Sequence, residues 1–186
     1  MSDERAQRRK NERDGNAEVI AEFRANGGEV AAPYDDPPPM LLVHTIGARS
    51  GKEHIVPMRA MPDGESFYIF ASSHGSDWNP DWYHNLGANP DIAIEKGTET
   101  IPVRATEVLG AERDAVFARH KARFPVFADY ERRLERTIPV IRLDRRTPEG
   151  GATVTKRHES RIRPPSIRGG SVRETPTILT IVFRRS

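Results

Sequence analysis

The chain has 186 residues, 36% of them hydrophobic and 30% charged, a size that suits one domain with appendages better than two. It has no cysteine and no apolar run near the ~18–20 residues that cross a bilayer, and its first residues, MSDERAQRRKNERDGN, offer no apolar segment for a secretory signal. Disulfides, thiolate nucleophiles and Cys-ligated metal sites are therefore excluded, and the cytoplasm is the expected location, with peripheral attachment to a membrane as the alternative.

The net charge is +2, yet residues 147–186 hold 8 Lys and Arg against 3 Asp and Glu, a net +5, which leaves −3 for residues 1–146. The basic character belongs to the tail, where Phe183 is the only aromatic residue. Without basic and aromatic residues interleaved, no specific nucleic-acid partner is expected.

Residues 1–15 are polar and aperiodic and are expected to be disordered. Asn16 is a candidate N-cap for a helix carrying Val19, Ile20 and Phe23, which Gly27-Gly28 would stop. Pro33 to Pro39 suits neither helix nor central strand and reads as a linker. Short β-like runs follow at Met40–Ile46, His54–Met61, Ser66–Ser73, Asp91–Lys96 and Glu99–Val108, with Pro62-Asp63-Gly64 and Gly97-Thr98 at hairpin positions. Helices are expected over Pro80–Asn89 and Ala111–Phe124, the latter with Val116, Phe117, His120 and Phe124 near one stripe. A last strand at Ile138–Leu143 completes a domain spanning residues 16–146. Strands joined by tight turns, with no βαβ alternation, predict a mainly β fold with flanking helices, an antiparallel sheet or barrel. The tail 147–186 has linker composition and is expected to be disordered, with Ile178–Phe183 as a candidate edge strand.

Two clusters carry candidate chemistry. In Thr45-Ile46-Gly47-Ala48-Arg49-Ser50-Gly51-Lys52, glycines permit a tight turn, and Arg49, Ser50 and Lys52 supply donors suited to phosphate. It is not a Walker loop, because three residues rather than four separate Gly47 from Gly51 and a strand follows Lys52. An ordinary solvated hairpin turn is the other reading. The second cluster is Ala71-Ser72-Ser73-His74-Gly75 at a strand end, followed by Asn79-Pro80-Asp81-Trp82-Tyr83-His84-Asn85-Leu86 opening a helix. Its aromatics could wall a planar ligand or could simply be core. The six histidines show no metal-ligand spacing, and no Gly-x-Ser-x-Gly elbow exists for a hydrolase.

Together with Val56-Pro57-Met58, Asp63-Gly64, Ala88-Asn89-Pro90 and Arg136-Thr137-Ile138-Pro139-Val140, these pieces make residues from about Met40 to Asp144 resemble the deazaflavin-dependent nitroreductase family. Its members are split β-barrel oxidoreductases of the flavin-reductase and FMN-binding type that use coenzyme F-420. The resemblance implies that Arg49, Ser50, Gly51 and Lys52 grip the cofactor's phosphate. It places Pro57, Ser72, Ser73, His74, Gly75, Asn79, Pro80, Trp82, Tyr83 and Asn85 along the cofactor. It makes Tyr130 substrate-facing, and Phe127 and Arg133 stand where some nitro-reducing members carry pocket aromatics. Hydride transfer needs a surface that holds donor against acceptor rather than a protein nucleophile. Its accompanying proton would come from Tyr130, Ser73 or solvent. The implied activity is reduction of a small organic acceptor, an activated alkene, quinone or nitro compound, by a chain that is a candidate homodimer. The alternatives are an FMN-binding split-barrel oxidoreductase and a non-catalytic F-420 carrier.

Overall fold

The computed structural model describes residues 15–31 and 39–146. The expectations for residues 1–14, for most of the proline-rich linker and for the tail 147–186 with its Ile178–Phe183 strand lie outside the described residues. Seven strands form one antiparallel sheet: β1 (Met40–Ile46), β2 (Glu53–Arg59), β3 (Met61–Asp63), β4 (Ser66–Phe70), β5 (Asp91–Lys96), β6 (Glu99–Val108) and β7 (Val140–Arg145). Helix α1 covers residues 15–25, and α2 (Asp81–Ala88), α3 (Gly110–Arg123) and α4 (Val126–Arg133) follow.

The strand order β2-β1-β5-β6-β7-β4-β3 puts β2 and β3 at opposite edges, although only Ala60 separates Arg59 from Met61 in sequence. A flat seven-stranded sheet would span about 29 Å at ~4.8 Å per gap, whereas two residues reach at most about 7 Å. The sheet must therefore curl until its edges meet at Ala60, which is fully buried at that seam. This closure makes the sheet the split barrel expected from the sequence.

Strands β1 and β4 are buried along most of their length, because both of their faces are covered. Leu41, Val43, Phe67 and Ile69 point into the barrel with Ile94, Val103, Ile141 and Leu143. The alternate residues of β1, Met40 and Leu42, pack under Phe23 of α1. Those of β4, Tyr68 and Phe70, pack under Val116 and Phe117 of α3. Along β6 the alternation slips between Ala105, in the barrel, and Val108, under α3.

Five expectations are corrected. The run expected as one strand over His54–Met61 is two, because Ala60 marks the crossing from one sheet edge to the other. The run expected to reach Ser73 ends at Phe70, and the last strand starts at Val140. Residues 15 and 16 already lie inside α1, so Asn16 is not its N-cap. Helix α4 was not expected; it starts directly after Pro125, and its Phe127 and Tyr130 pack on the α3 cluster.

Helix α1 is pinned to the sheet by charge as well as packing. Arg24 Nε donates to Glu95 Oε2 at 3.0 Å, and His44 lies between Glu53 Oε1 at 2.9 Å and Glu95 Oε1 at 2.8 Å. The Arg24 guanidinium, and after it His44, holds the Glu95 carboxyl below its ordinary value of 4.5. The stabilisation from this depressed carboxyl is present above that ordinary value and is lost as pH falls through the lowered folded one. Glu95→Gln is expected to cost about 1 kcal/mol at pH 7 and to flatten part of the acid-side loss, as read by urea unfolding at pH 7 and pH 4. An unchanged midpoint at pH 7 would show that packing alone holds α1.

Candidate functional site

A groove of about 1400 Å³ runs along the outside of the barrel, bordered by the β1–β2 turn, β2, the segment after β4, α2, the ends of α3 and α4 and the start of α1. One end is the β1–β2 turn. Gly47 N donates to Lys52 O and Gly51 N to Gly47 O, each at 2.8 Å, which closes the turn on itself. A Cβ on Gly47 would lie 2.3 Å from Ser50 Oγ, so a side chain there would have to turn the Ser50 hydroxyl away from its place in the turn. Asn85 of α2 locks the turn from the side: its Oδ1 accepts from Ala48 N at 2.9 Å, and its Nδ2 donates to Thr45 Oγ1 at 3.3 Å. Arg49, Ser50, Gly51 and Lys52 are exposed at the tip. Arg49 and Lys52 form no ion pair with a carboxylate among the described residues. Of the four, Arg49 and Ser50 border the groove.

The middle of the groove is built on an unusual turn after β4. Ser73, His74 and Gly75 have φ of 49°, 53° and 73°, three left-handed residues in succession. Only glycine adopts this region freely; the other two cost ~1–2 kcal/mol each and need support. Arg136 supplies it. Its Nε donates to Ser76 O at 2.9 Å, Nη1 to Ala71 O at 3.2 Å and Asn79 Oδ1 at 2.6 Å, and Nη2 to Ser72 O at 2.9 Å. Ser72, Ser73 and His74 border the groove, as does Pro57 on β2 facing the same space.

Helix α2 links the two regions. Pro80 and Trp82 border the groove near the left-handed turn, and Asn85 lies one turn further on, against the β1–β2 loop. At 1.5 Å rise per residue, Pro80 to Asn85 spans about 8 Å, which sets the distance between the basic tip and the turn. Tyr83 faces away: its hydroxyl donates to Glu107 Oε2 at 2.9 Å, and burial pushes its phenol pKa up. Asn79 serves Arg136, Gly75 packs against Tyr130, and Tyr130 itself lies beside the turn, off the groove wall. The structure thus brings Arg49, Ser50, Pro57, Ser72, Ser73, His74, Pro80, Trp82 and Asn85 onto one groove, while Gly51, Lys52, Gly75, Asn79, Tyr83 and Tyr130 are not among its lining residues.

Beyond the turn the groove ends in aromatic residues, Phe70, Phe124 and Phe127, with His120 among them. Of this end, the sequence resemblance placed only Phe127 at a pocket; Phe70, Phe124, His120 and the contribution of residues 15–20 of α1 were not expected, and the stripe of α3 that carries His120 was visible only as a core face. Among the described residues no three His, Cys, Asp or Glu side chains gather as a metal group, and no helix is long and apolar enough to cross a membrane.

The donor set fits a long anionic cofactor with a planar head: exposed cations without acidic partners among the described residues at one end, Pro57 and Trp82 along the wall, and an end lined by aromatic residues. A split barrel with such a groove defines a class, the small barrel oxidoreductases of flavin or deazaflavin type. The family profile of the F420H(2)-dependent quinone reductases matches residues 16–144, and the chain belongs to that family. It is accordingly an oxidoreductase that uses coenzyme F-420. It is 34% identical over 129 residues to an F420H(2)-dependent quinone reductase of Mycobacterium tuberculosis, covering 67% of this chain and 85% of that protein. Among solved structures, an F420-H2 dependent reductase superposes with a TM-score of 0.53 at 32% identity, covering 57% of this chain and 94% of that one. A second, solved as a domain-swapped dimer, gives 0.55 at 29% identity over 70% of this chain and 96% of its own.

Proposed function

We propose that the groove holds reduced coenzyme F-420 with its anionic part at the β1–β2 turn and its ring beside Ser72, Ser73 and Trp82, and that the acceptor is a quinone-type ring compound. When bound, the cofactor supplies a hydride; the protein positions, desolvates and orients. Arg49, Ser50 and Lys52 neutralise the phosphate, Gly51 lets the turn close, and Asn85 fixes the turn against α2. Pro57, Pro80 and Trp82 wall the ring, and the turn at Ser72, Ser73, His74 and Gly75, braced by Asn79, presents hydroxyl and backbone groups to it. Tyr83 anchors α2 from behind. Tyr130, against Gly75, orders the acceptor side, with Ser73 or water as the nearest proton sources. Activated alkenes and nitro compounds belong to the same acceptor class, because each accepts a hydride at an electron-poor atom. The reductase unit is residues 16–146, and the fold of the domain-swapped relative supports a homodimer.

The observation that carries this reading is a pair of cations without acidic partners among the described residues, on a turn that Asn85 fastens to α2, with Trp82 of the same helix on the groove wall. Arg49→Ala and Lys52→Ala are each expected to weaken F-420 about 10- to 100-fold, the worth of one charge-assisted contact. Fluorescence titration with F-420 checks this, with FMN run in parallel. Parent-like F-420 affinity in both variants would move the phosphate elsewhere, and tighter FMN than F-420 binding would favour the FMN reading.

A further inference from the structure

His120 is 4% exposed, yet neither ring nitrogen has a hydrogen-bond partner among the described residues. One imidazole face stacks on Phe70 at 3.6 Å between centroids and 12° between planes, and Phe127 meets it edge-on at 4.3 Å. The residue nevertheless borders the groove, stacked on Phe70, the last residue of β4 and two residues before Ser72 in the chain. A buried polar group left unpaired is unfavourable, and its persistence at a groove wall calls for a partner that arrives with a ligand. The surroundings define that ligand: flat and uncharged enough to lie among three phenylalanines, with an oxygen able to accept one N–H.

We propose that His120 and the aromatic residues around it form the acceptor subsite, in which the imidazole N–H hydrogen-bonds one carbonyl oxygen of a quinone ring. This deepens the functional reading above and rests on it. When a quinone takes up a hydride, the ring gains two electrons and one hydrogen, negative charge collects on an oxygen, and one proton from water completes the quinol. A donor aimed at that oxygen stabilises the charge as it forms. Burial pushes the His120 pKa down to about 4, so the ring is neutral at working pH. A neutral imidazole donates a hydrogen bond without giving up its proton, so His120 polarises the acceptor and water remains the acid.

The test uses the full chain saturated with oxidised F-420, which has no hydride to give, titrated with the naphthoquinone menadione. The parent should show menadione-dependent shifts of the His120 ring nitrogens by ¹⁵N NMR. His120→Phe, which keeps the stacking and removes the nitrogens, should weaken menadione about tenfold, lower kcat/KM for it about 10- to 100-fold and leave F-420 affinity unchanged. His120→Leu gives the same comparison if phenylalanine overfills the site. Unshifted His120 nitrogens on saturation with menadione, or parent-like menadione affinity in both variants, overturn the subsite while intact F-420 binding leaves the functional reading standing. Failure of the parent to bind F-420 overturns that reading instead.

Discussion

Replacing Arg136 with leucine is expected to lower the melting temperature by roughly 10 °C and to weaken F-420 binding by at least tenfold. Its guanidinium donates to three backbone carbonyls, those of Ala71, Ser72 and Ser76, and to the Asn79 side chain. Charge-assisted hydrogen bonds are worth ~1.5–3 kcal/mol each and are not additive, so about 3 kcal/mol is the expected net loss. The loss falls on a segment that already contains two non-glycine residues in the left-handed region, Ser73 and His74. Without its brace that segment should relax and withdraw Ser72 and Ser73 from the groove. Arg136→Lys should restore little, since an ammonium cannot satisfy acceptors arranged around a planar fork. Thermal unfolding and F-420 titration of both variants provide the measurement; a leucine variant that matches the parent in both would show that the turn holds itself.

The second large effect is expected at Gly75. Its φ of +73° costs a side chain ~1–2 kcal/mol, and a Cβ there would lie 2.5 Å from Tyr130 Cδ1 and 2.9 Å from Cε1. Gly75→Ala must therefore strain the backbone and displace the Tyr130 ring, a combined loss of about 3 kcal/mol. The two contributions separate in a double-mutant cycle. Tyr130→Ala in the Gly75→Ala background removes the collision but not the strain, so the pair should be less destabilised than the sum of the single changes. Strict additivity in urea unfolding would mean that Tyr130 does not pack on the turn. The same cycle reports on the acceptor side, because Tyr130 also meets Phe127, its centroid 5.6 Å away, and Phe127 borders His120.

Much of the barrel was legible in the sequence because its signals are local. Short β-like runs at Met40 to Ile46, Ser66 to Phe70 and Glu99 to Val108, bounded by turn residues, read as strands and are strands. Hairpin residues at Asp63-Gly64 and Gly97-Thr98 fall where the turns are, and the ordered short pieces from Leu41 to Val140 pointed to F-420-dependent reductases, within which the family found is that of the quinone reductases rather than the nitroreductases named from sequence. The stripe of Val116, Phe117 and His120 was visible as a helix face and is buried as expected.

What the sequence could not decide depends on partners distant along the chain. Nothing local marks Ala60 as the crossing between the two sheet edges, since the break exists only because β2 pairs with β1 and β3 with β4. Helix α4 is eight residues long and rich in charge, below the length at which a periodic signal stands out, and it is held by packing on Phe70 and Phe117 rather than by propensity. Tyr83 and Trp82 are neighbours of similar type, and only the direction of α2 against the barrel sends one to Glu107 and the other to the groove. Arg136 reads as one more surface cation until the chain folds back 60 residues to place Ser76 O against it. Composition and periodicity set which segments become strands and helices, because those preferences act over a few residues. Tertiary structure alone decided which polar groups found partners, and it left both ring nitrogens of the buried His120 without a hydrogen bond among the described residues.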